Sequence, residues 1–230
     1  MSRRLILATG NEHKVREIRA LLADLDVAVA HLGELDEPPE LTETGATFAE
    51  NAREKALAVA RAAGELALAD DSGLMVDALG GAPGVRSARY AGEGAPGAEL
   101  CAKLLRAMAG VPDAERSARF ICALSLCGPE GEIGRWEGRV EGVITRKPRG
   151  AGGFGYDPVF CYPPDGVTFA QMSPERKNAV SHRGRALQAF REDLPGILAR
   201  IGWFGGAGFR SPRQPWRRLP VAETTVAQAS

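Results

Sequence analysis

The sequence has no long hydrophobic run near its start and none of membrane-spanning length later. The first apolar stretch, Leu5–Ala8, is four residues long, whereas the apolar part of a secretory signal needs about 7–15 residues and a transmembrane helix about 20. No later stretch approaches the length of a membrane span without a charged residue or a glycine. We therefore expect neither a targeting signal nor a membrane partner, and a cytoplasmic location.

An excess of charge of either sign is also missing. Lys and Arg together number 29, as do Asp and Glu, so the formal net charge of the 230 residues is zero. Dedicated nucleic-acid binders are usually basic, so we expect no stable nucleic-acid partner. With 44% apolar and 25% charged residues, the composition is typical of a globular protein. We expect a single domain of two packed lobes over residues 1–202.

Cysteine is scarce, and its spacing excludes the usual zinc and redox motifs. The four cysteines form no C-x-x-C pair and have no histidine at zinc spacing. We expect them to be buried thiols in a reducing compartment. They are Cys101, Cys122, Cys127 and Cys161.

The last residues, 203–230, differ from the rest of the chain. They contain Gly, Pro and four arginines against one acidic residue, without apolar periodicity. This composition is typical of a disordered extension, although a weak contact with an anionic partner is the alternative.

Elsewhere the pattern alternates between strand and helix. Val15, Ile18 and Leu22 recur at helical spacing behind the strand Leu5–Ala8. Thr47 and Glu50 form a capping box in front of a helix that ends near Gly64. Further strands are expected at residues 27–29, 66–73 and 117–126, and longer, twisted strands within 132–145. Further helices are expected at 98–108 and 181–194. The fold class is therefore α/β with a mixed, twisted sheet.

The segment Thr9–Lys14 follows the first strand and opens the first helix. A helix N-terminus favours an anion, and Lys14 adds a positive charge one turn into the helix. The segment could thus hold phosphate, although it lacks P-loop spacing. An ordinary N-capped helix is the competing interpretation.

Two adjacent carboxylates, Asp70 and Asp71, are expected at the end of the strand that begins at Leu66. Adjacent carboxylates repel each other unless a cation lies nearby, and Mg²⁺ is the usual cation for hard oxygen ligands that serve a phosphate. Glu43 could supply a further ligand from another loop. A simple Asp-Asp-Ser-Gly turn is the alternative interpretation.

Two late segments complete the candidate site. The glycine-rich loop 148–158 contains Phe154, which could stack on a flat ring, and Asp157, which could accept a hydrogen bond. A flexible hairpin with Phe154 in the core is the alternative. Lys177 and Arg183 are cations suited to phosphate and carbonyl oxygens, while Ser181 could simply be an N-cap.

Six ordered blocks of the sequence resemble the inosine triphosphate pyrophosphatases, also called XTP/dITP diphosphatases. The resemblance runs from about Leu5 to Leu198 and excludes the tail. The blocks are Thr9–Lys14, Thr47–Lys55, Ala69–Leu74, Gly80–Tyr90, Gly152–Pro158 and Ser181–Gly184.

The resemblance implies two α/β lobes around a long active-site cleft, and a homodimer. It also implies hydrolysis of ITP, dITP and XTP between the α and β phosphates, which clears these nucleotides before incorporation into DNA or RNA. Asp71 would accept the proton of the attacking water, and Mg²⁺ would be held by Glu43 and Asp71, with Asp70 as a further candidate. The expected substrate-binding residues are Thr9, Gly10, Asn11, Glu12, His13, Lys14, Lys55, Ser72, Phe154, Gly155, Tyr156, Asp157, Lys177, His182 and Arg183.

Three alternatives stay open at this point. The chain could be a pyrophosphatase for another modified nucleotide, such as a pyrimidine. It could be a nucleotide-binding sensor without turnover, which the paired carboxylates and Lys14 argue against. It could also be an RNA-binding accessory acting through its arginine-bearing tail, which the zero net charge argues against.

Overall fold

One mixed sheet of seven strands organises the protein. The computed structural model describes residues 4–23 and 27–203, so almost all of the predicted tail lies outside the described residues. The strands are β1 (Arg4–Leu7), β2 (Ala28–His31), β3 (Leu66–Val76), β4 (Ser117–Gly128), β5 (Gly131–Ile144), β6 (Phe160–Tyr162) and β7 (Val167–Thr168). Their order across the sheet is β2-β1-β3-β4-β5-β6-β7.

Strand direction changes at β3. The strand β1 pairs in parallel with β2 and β3, whereas β3, β4, β5, β6 and β7 pair antiparallel. The pairing of β1 with β3 ends at Leu7 opposite Leu68, while β3 continues for eight more residues beside β4. The edge of β3 beyond Leu68 is therefore left open to side chains from the loops and helices around it.

The described part of the chain contains five α-helices. They are α1 (Glu12–Leu22), α2 (Phe48–Ala63), α3 (Gly97–Ala107), α4 (Pro174–Val180) and α5 (His182–Arg200). The predicted capping box of α2 is confirmed, because the Thr47 side chain accepts from the Glu50 N–H and Glu50 bonds back to the Thr47 backbone. The predicted stop at Gly64 is also confirmed, with a left-handed φ of 68°. Among the described helices, none has the length and apolar character needed to cross a bilayer.

Two predictions about β-structure were wrong in detail. The carboxylates Asp70 and Asp71 lie in the middle of β3, not at its end. Residues 131–144 form one long strand where several had been expected. The α/β class and the mixed sheet are confirmed.

The two largest apolar clusters of the core both include residues of β3. Leu66 and Leu68 belong to a cluster with α1, α5 and β1, whereas Leu74 and Val76 belong to a cluster with α3 and β6. Asp70 and Asp71 lie between these two pairs of residues along β3. All four cysteines are free thiols, and all but the half-buried Cys161 are buried, as the sequence predicted.

The contact between β5 and α5 depends on Gly138. A Cβ at this position would lie 2.0 Å from the His182 carbonyl oxygen and 2.6 Å from the Ala186 nitrogen. Both neighbours are backbone atoms, so they cannot rotate away. The start of α5 is therefore seated directly on the sheet.

We expect Gly138→Ala to lower the free energy of unfolding by about 1–3 kcal/mol through overpacking. Gly196→Ala, a control inside α5 where a Cβ would meet nothing within 4 Å, should instead raise it by about 0.5–1 kcal/mol. Urea unfolding followed by circular dichroism measures both. Equal stability of the Gly138→Ala variant and the wild type would contradict the close packing.

Candidate active site

One cavity of about 840 Å³ collects most of the residues singled out in the sequence. This volume lies within the usual range for small-molecule sites. Glu12 and Asp70 are not among its lining residues. The predicted residues that do line it are Thr9, Gly10, Asn11, His13, Lys14, Glu43, Lys55, Asp71, Ser72, Phe154, Gly155, Tyr156, Asp157, Lys177, His182 and Arg183.

The pleat of β3 separates the two adjacent carboxylates. Successive side chains of a strand point to opposite faces of the sheet. Asp70 accordingly contacts Lys14 and Arg183 from α1 and α5, whereas Asp71 contacts Lys55 from α2. Each carboxylate thus has its own cation, and the repulsion expected from the sequence is resolved without a shared ion.

Asp70 is fully engaged by the protein. Its Oδ1 accepts from Lys14 and from Ser72 Oγ at 2.7 Å, and its Oδ2 accepts from Arg183 Nε at 2.8 Å and from Cys122 Sγ at 3.2 Å. Burial would raise the pKa of Asp70, but Arg183 and Lys14 outweigh it and hold that pKa well below its usual range. Asp70 therefore holds the surrounding cations in place, and it does not line the cavity.

On the other face, Lys55 joins two carboxylates. Its Nζ lies 2.9 Å from Asp71 Oδ1 and 2.8 Å from Glu43 Oε1. Burial would raise the pKa of Glu43, but Lys55 and Arg89 bring it to about 2. Burial raises the pKa of Asp71 against the opposing effect of Lys55. The site thus has one firmly ionised carboxylate beside one that has a greater tendency to hold a proton.

The open edge of β3 also receives the two lysines. The Asp70 carbonyl oxygen accepts from Lys14 Nζ at 3.3 Å and from Lys55 Nζ at 3.2 Å. This carbonyl lies two residues beyond the last pairing with β1, at Leu68. Two ammonium groups from opposite layers therefore converge where the parallel strand ends.

The segment after β1 is an N-capped helix start that also faces the cavity. The Asn11 side chain accepts from the backbone N–H groups of His13 and Lys14 at 3.0 and 3.3 Å. Thr9 Oγ1 accepts from the Asn11 N–H at 3.1 Å. The interpretation as an N-capped helix is therefore confirmed, and the helix directs Lys14 into the cavity, while phosphate binding by the segment stays a prediction.

Phe154 lies in the cavity wall and is half-buried, so the interpretation as a core residue was wrong. Asp157 Oδ2 accepts from the Phe154 N–H and from Lys177 Nζ, both at 2.8 Å. Gly153 has a φ of 70°, and a Cβ there would lie 2.1 Å from Asp157 Oδ2. The glycine-rich loop is therefore a turn held by the hydrogen bond to Asp157, and this turn places the Phe154 ring in the cavity wall.

Three side chains surround the Phe154 ring. The His13 ring stacks on it with centroids 5.3 Å apart, Lys177 Nζ lies 4.6 Å from its centroid, and the Arg183 guanidinium carbon lies 5.5 Å away. Cations near an aromatic face are attracted by its quadrupole. The ring is held at the end of the cavity that α4 and α5 border.

A chain of ion pairs connects this aromatic end to the carboxylates. Glu17 of α1 contacts both Lys177 and Arg183. The series therefore runs from Asp157 through Lys177, Glu17 and Arg183 to Asp70. Sequence analysis missed Glu17, although it lies three residues after Lys14 and so on the same face of α1.

Two other contact residues were also missed. Asn51 accepts from the Gly45 N–H at 2.8 Å and donates to Asp71 Oδ2 at 3.1 Å, so it ties the Glu43 loop to β3. Its position four residues before Lys55, on one face of α2, was the available signal. Arg89 contacts Glu43 at 2.6 Å, and no spacing in the sequence connects the two.

His182 is the first residue of α5 and is 5% exposed. Its ring stacks on Phe120 with centroids 4.6 Å apart. Burial lowers the pKa of His182 well below its usual range, and the neighbouring Arg183 adds to this effect. Its Nδ1 has no hydrogen-bond partner within the described part of the chain, so a neutral imidazole lines the cavity with one nitrogen unpaired.

Both the sequence and the fold of the chain are similar to those of known proteins. The model of the Ham1 family matches residues 5–193. A "dITP/XTP pyrophosphatase" from Desulforamulus reducens is 51% identical over 191 residues, which are 83% of this chain and 95% of the relative. A protein of the same name from Geobacter sulfurreducens is 48% identical over 202 residues, which are 88% of this chain and 98% of the relative.

Solved structures agree in fold. A HAM1 protein from Coxiella burnetii superposes with a TM-score of 0.78 at 43% identity, covering 84% of this chain and 99% of that one. The Ham1 protein from Staphylococcus aureus gives a TM-score of 0.76 at 38% identity, with the same two coverages. These values extend the likeness from sequence to architecture.

The Asp70→Asn variant tests how much the negative charge of Asp70, which lies between cations of α1 and α5, stabilises the protein. The variant leaves Arg183 buried with one carboxylate fewer, so we expect a loss of about 3–5 kcal/mol of stability near neutral pH. The folded pKa of Asp70 is depressed, so its contribution is present above the unfolded value of about 3.9 and is lost as pH falls through the folded pKa.

The gap between the free energies of unfolding of the wild type and of Asp70→Asn should therefore be widest above about pH 5 and should narrow below about pH 4. Urea unfolding at a series of pH values measures this gap. Asp165→Asn, which removes an exposed pair with Arg176, is the control and should show a much smaller change. A gap that stays constant down to pH 2 would contradict the ion-pair assignment.

Proposed function

The chain belongs to the Ham1 family, and we propose that it hydrolyses non-standard purine nucleoside triphosphates to the monophosphate and pyrophosphate. The bond broken is the anhydride between the α and β phosphates. The proposed substrates are ITP, dITP and XTP. The names of the relatives from Desulforamulus reducens and Geobacter sulfurreducens give dITP and XTP, and ITP has the same base as dITP. Such a reaction removes these nucleotides before polymerases can use them.

One observation supports this function most directly. A single cavity has Lys55 between two carboxylates, Glu43 and Asp71, and also contains the Phe154 ring. A nucleoside triphosphate has a charged phosphate end and a flat base end that match these two features. A sensor that only binds would have little need for two carboxylates, Glu43 and Asp71, at the phosphate end.

The residues present fit a divalent cation. Glu43 and Asp71 both lie within 3 Å of the same ammonium group, so their carboxylates can share a cation. Within residues 4–23 and 27–203, no cluster of three or more His, Cys, Asp or Glu side chains forms a metal cage. Mg²⁺ is usually bound by one or two carboxylates together with substrate phosphates, and we assign it on that basis.

When bound, Mg²⁺ would neutralise part of the triphosphate charge and polarise the anhydride. Lys14 and Lys55 would hold the phosphates, together with N–H groups of the segment 9–14. Asp71 would accept the proton of the attacking water, and burial raises its pKa toward that use. Asp70 would keep Lys14 and Arg183 in position rather than bind the metal.

Phe154 would stack on the base, with Lys177 and Arg183 beside the ring. The neutral imidazole of His182 lines the cavity and would contact the edge of the base. Arg183 already donates to Asp70 and Glu17, so only its remaining donors are available for a 6-keto oxygen. The homodimer, the cytoplasmic location, the lack of a nucleic-acid partner and the 1–202 domain boundary stay predictions.

A panel of triphosphates with Mg²⁺, scored for pyrophosphate release, tests the function. We expect kcat/KM for ITP, dITP and XTP to exceed that for ATP by about 10⁴-fold or more, because an amino group in place of the 6-keto oxygen leaves a buried donor unpaired. Modified pyrimidine triphosphates belong in the same panel. Nucleotide binding without pyrophosphate release would point to the sensor, and preference for a pyrimidine would overturn the substrate class.

Asp71→Asn should lower kcat by about 10²-fold or more, because it removes a proton acceptor and a metal ligand together. Asp77→Asn is the matched control, since Asp77 follows the same strand and contacts Ser117 and Arg119 at the surface. Circular dichroism should show both variants folded. A kcat within a factor of about three of the wild type would remove Asp71 from the mechanism.

A further inference from the structure

Arg89 lies at the mouth of the phosphate end and is bound to Glu43. Its Nη1 donates to Glu43 Oε2 at 2.6 Å, and its Nη2 lies 3.4 Å from the Glu43 carbonyl oxygen. Its side chain is 28% exposed and lines the cavity. Both oxygens of the Glu43 carboxylate are thus occupied by cations of the protein, Lys55 on one and Arg89 on the other.

The two cations are held very differently. Lys55 is 6% exposed and also contacts Asp71 Oδ1 and the Asp70 carbonyl oxygen. The side-chain hydrogen bonds of Arg89 within the described residues are those to Glu43. If a third cation binds Glu43, Arg89 is therefore the partner that dissociates. It breaks fewer hydrogen bonds than Lys55 would, and it is more exposed to water.

We propose that Arg89 is an exchangeable counter-ion of Glu43. This inference rests on the proposed function. In the metal-free protein Arg89 neutralises Glu43 and competes with a divalent cation for it. Once the cation binds, the released guanidinium stays in the cavity wall and contacts an oxygen of the terminal phosphates, for which its planar donor fork is suited.

This exchange predicts two effects of opposite sign. Removing Arg89 takes away a competitor, so the nucleotide-free protein should bind a divalent cation more tightly. It also takes away a phosphate contact, so inorganic pyrophosphate should bind more weakly. If Arg89 only fixed the position of Glu43, its removal would instead weaken cation binding. The sign of the change in cation affinity therefore distinguishes the two roles.

The first measurement uses Mn²⁺ as the probe, with electron paramagnetic resonance of the nucleotide-free protein. We expect Arg89→Met to lower the dissociation constant of Mn²⁺ by roughly two- to fivefold, the range that the loss of one partly exposed ion pair gives. Arg86→Met is the control, because Arg86 lies on the same 3₁₀ turn, Gly84–Arg89, but is exposed and does not line the cavity. The Arg86→Met control should bind Mn²⁺ with the same dissociation constant as the wild type.

The second measurement is inhibition of ITP hydrolysis by inorganic pyrophosphate at saturating Mg²⁺. We expect Arg89→Met to raise the inhibition constant by about tenfold or more, as the loss of a charge-assisted hydrogen bond would. Arg89→Lys keeps the positive charge but lacks the planar guanidinium donors. Its dissociation constant for Mn²⁺ and its inhibition constant for pyrophosphate should both lie between those of the wild type and of Arg89→Met. Thermal unfolding checks that every variant is folded.

Weaker Mn²⁺ binding by folded Arg89→Met, or an unchanged dissociation constant, would overturn the exchange and leave Arg89 as a support for Glu43. An unchanged pyrophosphate inhibition constant would overturn the phosphate contact. Either result would leave the proposed function intact, since that depends on pyrophosphate release by the wild type. Failure of the wild type to hydrolyse any triphosphate would instead refute the proposed function itself.

Discussion

The separation of Asp70 and Asp71 onto opposite faces of β3 is the constraint on which the rest of the site depends. Two adjacent carboxylates that are both almost fully buried can stay ionised only if each has its own cation. The pleat makes this possible, because α1 and α5 supply Lys14 and Arg183 on one face and α2 supplies Lys55 on the other. The early end of β1 then leaves the edge of β3 accessible, so the lysines can also reach the Asp70 carbonyl.

Local signals in the sequence predicted the elements well. The capping box at Thr47, the stop at Gly64 and the N-cap at Ser181 are short-range features that fix where helices begin and end. The same reasoning placed Asp70 and Asp71 at a strand end, since polar residues seldom continue a buried strand. It was wrong there because a long-range contact with β4 continues the strand past the carboxylates.

The separate roles of the residues within the site were less predictable from the sequence. The sequence identified most residues that line the cavity, but it could not tell that Asp71 lines it and Asp70 does not. It also missed Asn51, Glu17 and Arg89, which approach the site from three different elements. Fold-level contacts between residues 46 or more positions apart, such as Glu43 with Arg89, leave no local pattern in a single sequence.

The ion-pair series from Asp157 to Lys14 has a consequence for how such a protein changes over evolutionary time. Glu17 and Asp70 each neutralise two cations, so replacing one of them leaves two charges without a full partner. Residues that share partners in one network are energetically coupled, and the effects of their substitutions do not add. Divergence here should therefore proceed by correlated pairs of substitutions, with α1, α4 and α5 changing together while surface positions of the same helices drift independently.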